Sequence, residues 1–154
     1  MIYKNFKEQS WNKPKEQFEE YYNEQNYGER FVLVAEILND IAGYITLKLL
    51  PEQGAFANKK IPEIVDLNVF KKYQNKGIGN KLLDSVENLA KEFSDTICLG
   101  VGLHSGYGHA QKIYVKRGYI PDGSGVWYKD KPAVPYQDYC NDDDLVLYMS
   151  KKLI

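Results

Sequence analysis

Residues 63–79 read EIVDLNVFKKYQNKGIG, and this stretch decides the fold. Glu63–Phe70 is rich in β-branched and apolar residues and predicts a strand. Gln74-Asn75-Lys76-Gly77-Ile78-Gly79 follows it as a glycine-bearing turn. Beyond the turn, Leu82, Leu83, Val86, Leu89, Ala90 and Phe93 recur at helical spacing. Strand, glycine turn and helix in that order make a helix N-terminus whose backbone N–H groups lack partners and carry partial positive charge. Lys71, Lys72, Lys76 and Lys81 crowd the same turn, and no acid lies between Asp66 and Asp84. That is the chemistry of an anion site, suited to a diphosphate. A tight strand-to-helix turn with solvated lysines is the plainer alternative. A Walker loop is excluded because Asn80 stands where its lysine would be, and a dinucleotide fingerprint lacks its third glycine.

The elements on either side fit one pattern. Ser10 is a candidate N-cap, with Pro14 in the first turn of a helix running to about Asn23, and Phe18, Tyr21 and Tyr22 form its apolar stripe. Phe31–Ile37 and Ile41–Leu49 read as a hairpin turning at Asn39-Asp40. Thr96–Val101 is a short buried strand, a helix runs from about Gly108 to Arg117 and stops at Gly118, and Leu145–Ser150 is a closing strand. The expectation is an α/β (α+β) fold: a mixed, mostly antiparallel central sheet flanked by helices, in a single domain over residues 1–154.

Composition narrows the function. The chain has 154 residues, 20 Lys+Arg, 21 Asp+Glu and 2 His, and a net charge of −1. That balance argues against a surface devoted to nucleic acid. A mean hydropathy of −0.51 with no long apolar run argues against a membrane span. The first residues lack a signal-peptide core, so the expected location is cytoplasmic. Cys98 and Cys140 form no disulfide framework, and no metal-ligand spacing is present. Cys98 reads as a buried hydrophobe, whereas Cys140 sits among aspartates that oppose thiolate formation.

Residues 122–144 stand apart. Six aspartates oppose two lysines there, a net −4, which leaves +3 for the rest. Trp127, Tyr128, Tyr136 and Tyr139 share the segment, drawn from a chain with 13 tyrosines. Acid and aromatic together can grip a cationic amine. Trp127, Tyr128, Tyr136 and Asp138 are therefore candidate substrate contacts, and a solvated loop packed on the body is the alternative.

Strand–Q/R-x-x-G-x-G/A–helix is the acetyl-CoA signature of the GCN5-related N-acetyltransferases (GNAT), and QNKGIG resembles it in full. Ala110, Tyr114, Gly118 and Tyr119 are similar to that family's A-x-x-x-Y-x-x-x-G-F/Y pattern. The resemblance spans about Phe31 to Tyr119 and points to a small bacterial-type member. It implies acetyl-CoA as cosubstrate without a metal, and direct transfer in a ternary complex. The acceptor it implies is a primary amine, on a small cationic molecule or on a protein. The backbone of Gln74, Asn75, Lys76, Gly77, Ile78 and Gly79 would hold the pyrophosphate, and that of Leu67 and Val69 the pantetheine arm. Tyr114 would be the general acid for the leaving thiolate. Glu63 is the candidate general base, with Asp66 second and proton loss to water as an alternative. Strict alternation puts Glu63, Val65, Leu67 and Val69 on one face and Ile64, Asp66 and Asn68 on the other, unless a bulge intervenes.

The chain also departs from the family. Tyr107 stands seven residues before Tyr114, where the family usually has asparagine, and His104 and His109 flank that turn. Similar proteins commonly form homodimers through their C-terminal strands. The competing readings are an acyl-CoA-binding module without turnover and a nucleotide-phosphate binder.

Overall fold

The computed structural model describes residues 15–154. Ser10 and Pro14 lie outside them. Helix α1 spans Lys15–Asn26 and presents Phe18 and Tyr21 inward. Strands β1 (Arg30–Ile37) and β2 (Asp40–Lys48) form the expected hairpin. Its turn falls one residue early, because Leu38 and Asn39 take the left-handed conformation (φ 50° and 65°) that a two-residue hairpin turn needs. Strand β3 is Glu63–Val69, α2 is Ile78–Ala90, β4 is Thr96–Gly102 and α3 is Gly108–Lys116. Strands β5 (Ile120–Tyr128), β6 (Lys131–Pro132) and β7 (Leu145–Lys152) complete a seven-stranded sheet in the order β1-β2-β3-β4-β7-β5-β6. Only β3 and β4 pair in parallel, so the sheet is mixed and mostly antiparallel, flanked by helices.

β5 is the element that the sequence pattern hides. Pro121, Gly123 and Gly125 read as turn residues, and the register against β7 slips between Pro121 and Val126 where both glycines have positive φ. Much of the acidic segment is therefore sheet. Phe93 belongs to the apolar stripe of α2 in sequence, yet the helix ends at Ala90 and Phe93 tilts onto Phe31 of β1, with ring centroids 5.7 Å apart.

The main core fills one face of the sheet. Ile45, Leu47, Ile64, Ile97, Leu99 and Val101 pack there beneath Leu82, Leu83 and Val86 of α2 and Tyr114 of α3. Each such aliphatic side chain contributes about 1.5–3 kcal/mol by leaving water. On the opposite face α1 lays Tyr21 over Tyr44 and Phe70, and Phe56 of the long 49–62 connection packs with Cys98 and Tyr148.

One buried polar cluster ties the helices to the last strand. α3 ends in a paired turn: Gly118 N–H donates to Val115 and Tyr119 N–H to Tyr114, with Gly118 at φ 93°. That turn aims Arg117 and Tyr119 at Glu87 of α2. Glu87 accepts from Arg117 at 2.7 Å, from the Tyr119 hydroxyl at 2.9 Å and from Lys151 at 3.1 Å. Burial opposes its charge, but these donors outweigh it and hold the carboxyl below its ordinary range. Glu87→Ala strands three donors, so urea unfolding is expected to lose about 2–4 kcal/mol. A carboxyl lowered by folding stabilises above its unfolded pKa. The wild-type advantage over Glu87→Ala should therefore persist at neutral pH and shrink as pH falls through the folded value.

Candidate active site

The site begins where two neighbouring strands part. β3 and β4 pair only at Glu63–Cys98 and Ile64–Leu99. Past Ile64 the register of β3 on β2 slips: Leu47 faces Ile64, and Ile45 faces Leu67, so Thr46 opposes both Val65 and Asp66. Asp66 has φ 73°. This is a β-bulge, and it overturns the alternation expected from the sequence. Ile64, Leu67 and Val69 all face the main core. Glu63 and Val65 face the opposite side, and Asp66 and Asn68 join them there to meet Tyr44. The two acids thus share one face.

Asp66 is held in its left-handed conformation from several directions. Its carboxylate accepts from the Tyr44 hydroxyl at 2.7 Å, from the Tyr21 hydroxyl at 3.2 Å and from the Asn68 amide. Thr46 closes the same bulge by donating to the Val65 carbonyl.

The glycine turn stands at the other end of β3. Lys71–Tyr73 form one tight turn, Asn75 takes φ 62°, and Gly77 caps α2 at φ 77°. Lys81 N–H is the first to bond back, to the Gly77 carbonyl. Ile78, Gly79 and Asn80 therefore present N–H groups without intrahelical acceptors. The lysines differ in what they do. Lys72 pairs with Asp40 at 2.6 Å, and Lys76 lies over the Tyr73 ring at 5.6 Å. The Gln74 side chain donates to the Val69 carbonyl at 2.9 Å, so it braces the turn against β3. Val69 thus has its carbonyl engaged, and Leu67 lies two residues upstream on the same face.

Tyr114 rises from α3 into the same region, buried and edge-on to Tyr119 at 5.7 Å. Burial first, and the Asp66 carboxylate second, push its hydroxyl up to about 12. It stays protonated throughout the neutral range, as a proton donor must. Tyr107 lies beside it. Burial and the Asp143 carboxylate push that hydroxyl also to about 12, and its ring covers Gly102 at the end of β4. His104 is committed elsewhere: Nδ1 accepts the Gly106 N–H at 3.0 Å, and Nε2 lies 2.6 Å from Asp143. It serves as a cap that anchors Asp143. His109 is exposed on α3.

Glu63 lines a cavity of about 320 Å³ on the α1 side of the sheet, together with Arg30, Lys48, Glu52, Val65, Asp130 and Tyr148. Lys48 is its cross-strand partner in β2. Burial pushes the Glu63 carboxyl up to about 7. Lys48 opposes that rise and Asp130 adds to it. A carboxyl poised there can accept a proton near neutral pH.

The four proposed substrate contacts fall outside this cavity. Trp127 packs edge-on against Tyr148 at 5.4 Å and donates to Ser124. Tyr128 donates to Asp142 at 3.1 Å and lies against Tyr139. Tyr136 and Asp138 are exposed. The acidic segment instead contributes Asp130, at the tip of the β5–β6 hairpin. Glu52, Asp130 and Tyr148 were invisible to motif reading, since they come from a loop, a turn and a strand far apart in sequence. The one available signal was the Tyr128-Lys129-Asp130-Lys131 hairpin pattern. Cys98 is buried, and Asp142 holds the Cys140 thiol above its ordinary range.

A family model described as the acetyltransferase (GNAT) family matches residues 1–119. The chain belongs to the GNAT acetyltransferase family. Solved structures share the fold. A GNAT acetyltransferase from Elizabethkingia anophelis with acetyl-CoA bound is 23% identical, with a TM-score of 0.64, covering 91% of this chain and 84% of that one. The ribosomal-protein-alanine N-acetyltransferase of Brucella melitensis is 19% identical, with a TM-score of 0.66, covering 90% and 78%. An aminoglycoside 6'-N-acetyltransferase complexed with coenzyme A is 20% identical, with a TM-score of 0.63, covering 95% and 83%. No curated protein sequence matches the chain. No helix among the described residues is long and apolar enough to cross a membrane.

In this GNAT protein the N-cap geometry yields a direct test. Alanine at Gly77 would have to adopt φ 77°, a left-handed strain of about 1–2 kcal/mol. Relief by rotating the turn misaligns the N–H groups of residues 78–80. Gly77→Ala is expected to weaken coenzyme A binding about tenfold by calorimetry, with a far-ultraviolet spectrum like the wild type.

Proposed function

We propose that this protein transfers the acetyl group of acetyl-CoA directly to a primary amine on a small cationic acceptor. The observation that supports this reading is Glu63: a half-buried carboxyl poised near pH 7 in a cavity beside the point where β3 and β4 part, on the opposite face of the sheet from Tyr114. Acetyl-CoA supplies a thioester whose acyl carbon is open to attack. The chain's own groups fit that molecule. The N–H groups of residues 78–80 and the surrounding lysines suit its diphosphate, and the parted edge of β3 at Leu67 and Val69 suits an extended arm bearing amides. An acceptor entering from the Glu63 cavity and an acyl donor lying along β3 meet from opposite faces.

The chemistry balances without an acyl-enzyme. Glu63 takes a proton from the acceptor ammonium and leaves a neutral amine. The amine nitrogen forms a bond to the acetyl carbon as the carbon–sulfur bond breaks, and the nitrogen's second proton passes to water or back to Tyr114 once that phenol has protonated the thiolate. Tyr114 gives its phenolic proton to the departing thiolate. The excess of carboxylates around the cavity favours a cationic acceptor.

Thiol release at saturating acetyl-CoA and varied amine tests the assignment. A base must be deprotonated to act, so kcat/KM for the amine, which reports the empty cavity, should rise with pH through an apparent pKa of about 7 and then level, and kcat at saturating amine should rise at lower pH. Tyr114, protonated to about 12, adds no fall below pH 10. Glu63→Gln should lower kcat roughly 100-fold or more and remove the acid limb. Tyr114→Phe should lower kcat with little change in the KM for acetyl-CoA. An unaltered acid limb in Glu63→Gln rules out Glu63 as the base. Tight coenzyme A binding without release on any amine favours the binding module.

A further inference from the structure

The Glu63 cavity has a composition that its catalytic wall alone does not explain. It holds three carboxylates, Glu52, Glu63 and Asp130, against Lys48 and Arg30. Arg30 is already neutralised: it pairs with Glu24, donates to Thr46 at 2.8 Å and stacks on Tyr21 at 4.3 Å. Lys48, across the strands from Glu63, is then the one cation among the described residues lining the cavity that is not neutralised by an acid outside it. With Glu63 ionised, as its role as a base requires, the cavity carries a net charge of −2.

A second feature is independent of charge. Tyr148 is 6% exposed and lines the same cavity, yet its hydroxyl has no hydrogen-bond partner among the described residues. Its ring is fixed by Trp127 at 5.4 Å and Phe56 at 6.2 Å. Its oxygen ends against Gly54, where a β-carbon would lie only 2.2 Å away. Gly54 sits at φ 85°, so the backbone withdraws to make room for that hydroxyl. A buried hydroxyl held rigidly without a partner is rare in a folded protein and marks a place where a ligand group completes the bond.

We infer that the acceptor is a short diamine, with one amine beside Glu63 for acetylation and the other held as an ammonium by Asp130 and the Tyr148 hydroxyl. This rests on the proposed acetyl transfer and names the acceptor for it. The amine that attacks must be neutral, so a monoamine leaves the carboxylate excess uncompensated at the moment of reaction. A second ammonium brings one positive charge that survives the step. Three N–H bonds on an ammonium suit an ionised carboxylate and a phenolic oxygen together. A cavity of about 320 Å³ is at the lower end of small-molecule sites. It accommodates a short aliphatic chain rather than a folded peptide or an oligosaccharide. Asp130 is well placed to select, because it sits at the tip of a hairpin turn at φ 64°, a conformation that asparagine also tolerates.

The test compares 1,4-diaminobutane, butylamine and 4-aminobutanoate as acceptors at fixed acetyl-CoA. These share reach and differ in the charge at the far end. The expected order of kcat/KM has the diamine at least tenfold above butylamine, with 4-aminobutanoate last. Asp130→Asn and Tyr148→Phe should each raise the KM for the diamine about tenfold, with kcat within threefold, so its advantage over butylamine collapses. Tyr148→Phe keeps the ring in place and removes only the oxygen. Equal use of diamine and butylamine by the wild type overturns the inference while leaving acetyl transfer intact. So does preference for 4-aminobutanoate, which would assign Lys48 to a carboxylate. Asp138→Asn is the counter-test: a collapse of preference there, with Asp130→Asn unaffected, moves recognition to the exposed loop and overturns the assignment. Calorimetry with 1,4-diaminobutane on the coenzyme A-loaded protein reads binding apart from turnover. Binding weakened tenfold by Asp130→Asn, with no transfer to any amine, would sustain the diamine site and remove the acetyl-transfer reading. Absence of both binding and transfer would remove the site itself.

Discussion

The architecture depends on the separation of β3 and β4 after two paired residues. Parallel neighbours in the middle of a sheet ordinarily continue to bond, because each unpaired backbone group is costly when buried. Here the bulge at Val65–Asp66 turns β3 away, and Asp66 pays for the turn with bonds from Tyr21, Tyr44 and Asn68. The left-handed backbone of an aspartate is thus maintained by three donors from α1, β2 and β3 itself. The consequences run in both directions along the strand. Leu67 and Val69 join the main core, whereas Glu63, Val65 and Asp66 come to the opposite face. The gap exposes strand edges that an extended, amide-bearing ligand can complete, and Tyr114 stands beside it.

Charge is divided to match. The near-zero total conceals a lysine-bearing turn at the N-terminal end of α2 and an acidic cavity on the other side of the sheet. The lysine-bearing turn favours a polyanion and the acidic cavity a cation, and the sheet keeps the two fields apart except where β3 and β4 diverge. Steering by opposite fields acts over distances comparable to the thickness of such a sheet. Neither patch shows in the net charge of −1.

What was legible in the sequence is what depends on near neighbours. The QNKGIG turn, the stripe of α2 and the Gly118 stop of α3 involve residues within a turn or two of each other, and the local pattern contains their cause. The bulge at Asp66 does not, since its donors Tyr21 and Tyr44 lie 45 and 22 residues away. Period-two alternation therefore put Glu63 and Asp66 on opposite faces. β5 escaped for the converse reason: Pro121, Gly123 and Gly125 oppose a strand locally, and only pairing with β7 holds them in one. Composition singled out the acidic segment, but it could not show that two of its aromatics are engaged within the segment and on its neighbours while Tyr136 stays exposed. Trp127 supports Tyr148 and Tyr128 is tied to Asp142, which leaves the hairpin tip to reach the cavity.

The pairing of Glu63 with Lys48 explains how a carboxylate can stay near neutrality beside a cation. A cross-strand ammonium ordinarily lowers an acid, and an exposed pair of this kind would leave Glu63 ionised and a poor base. Burial reverses the balance because it penalises the charged carboxylate directly, whereas Lys48 is only partly buried and its field is screened by water at the cavity mouth. Asp130 adds a second negative charge and tips the same balance further. An arriving ammonium changes both effects at once, since it displaces water and supplies a close positive charge. Glu63 is then drawn toward the ionised form. The geometry thus couples occupancy of the cavity to the charge state of Glu63, through charges that belong to three separate elements of the sheet and its loops.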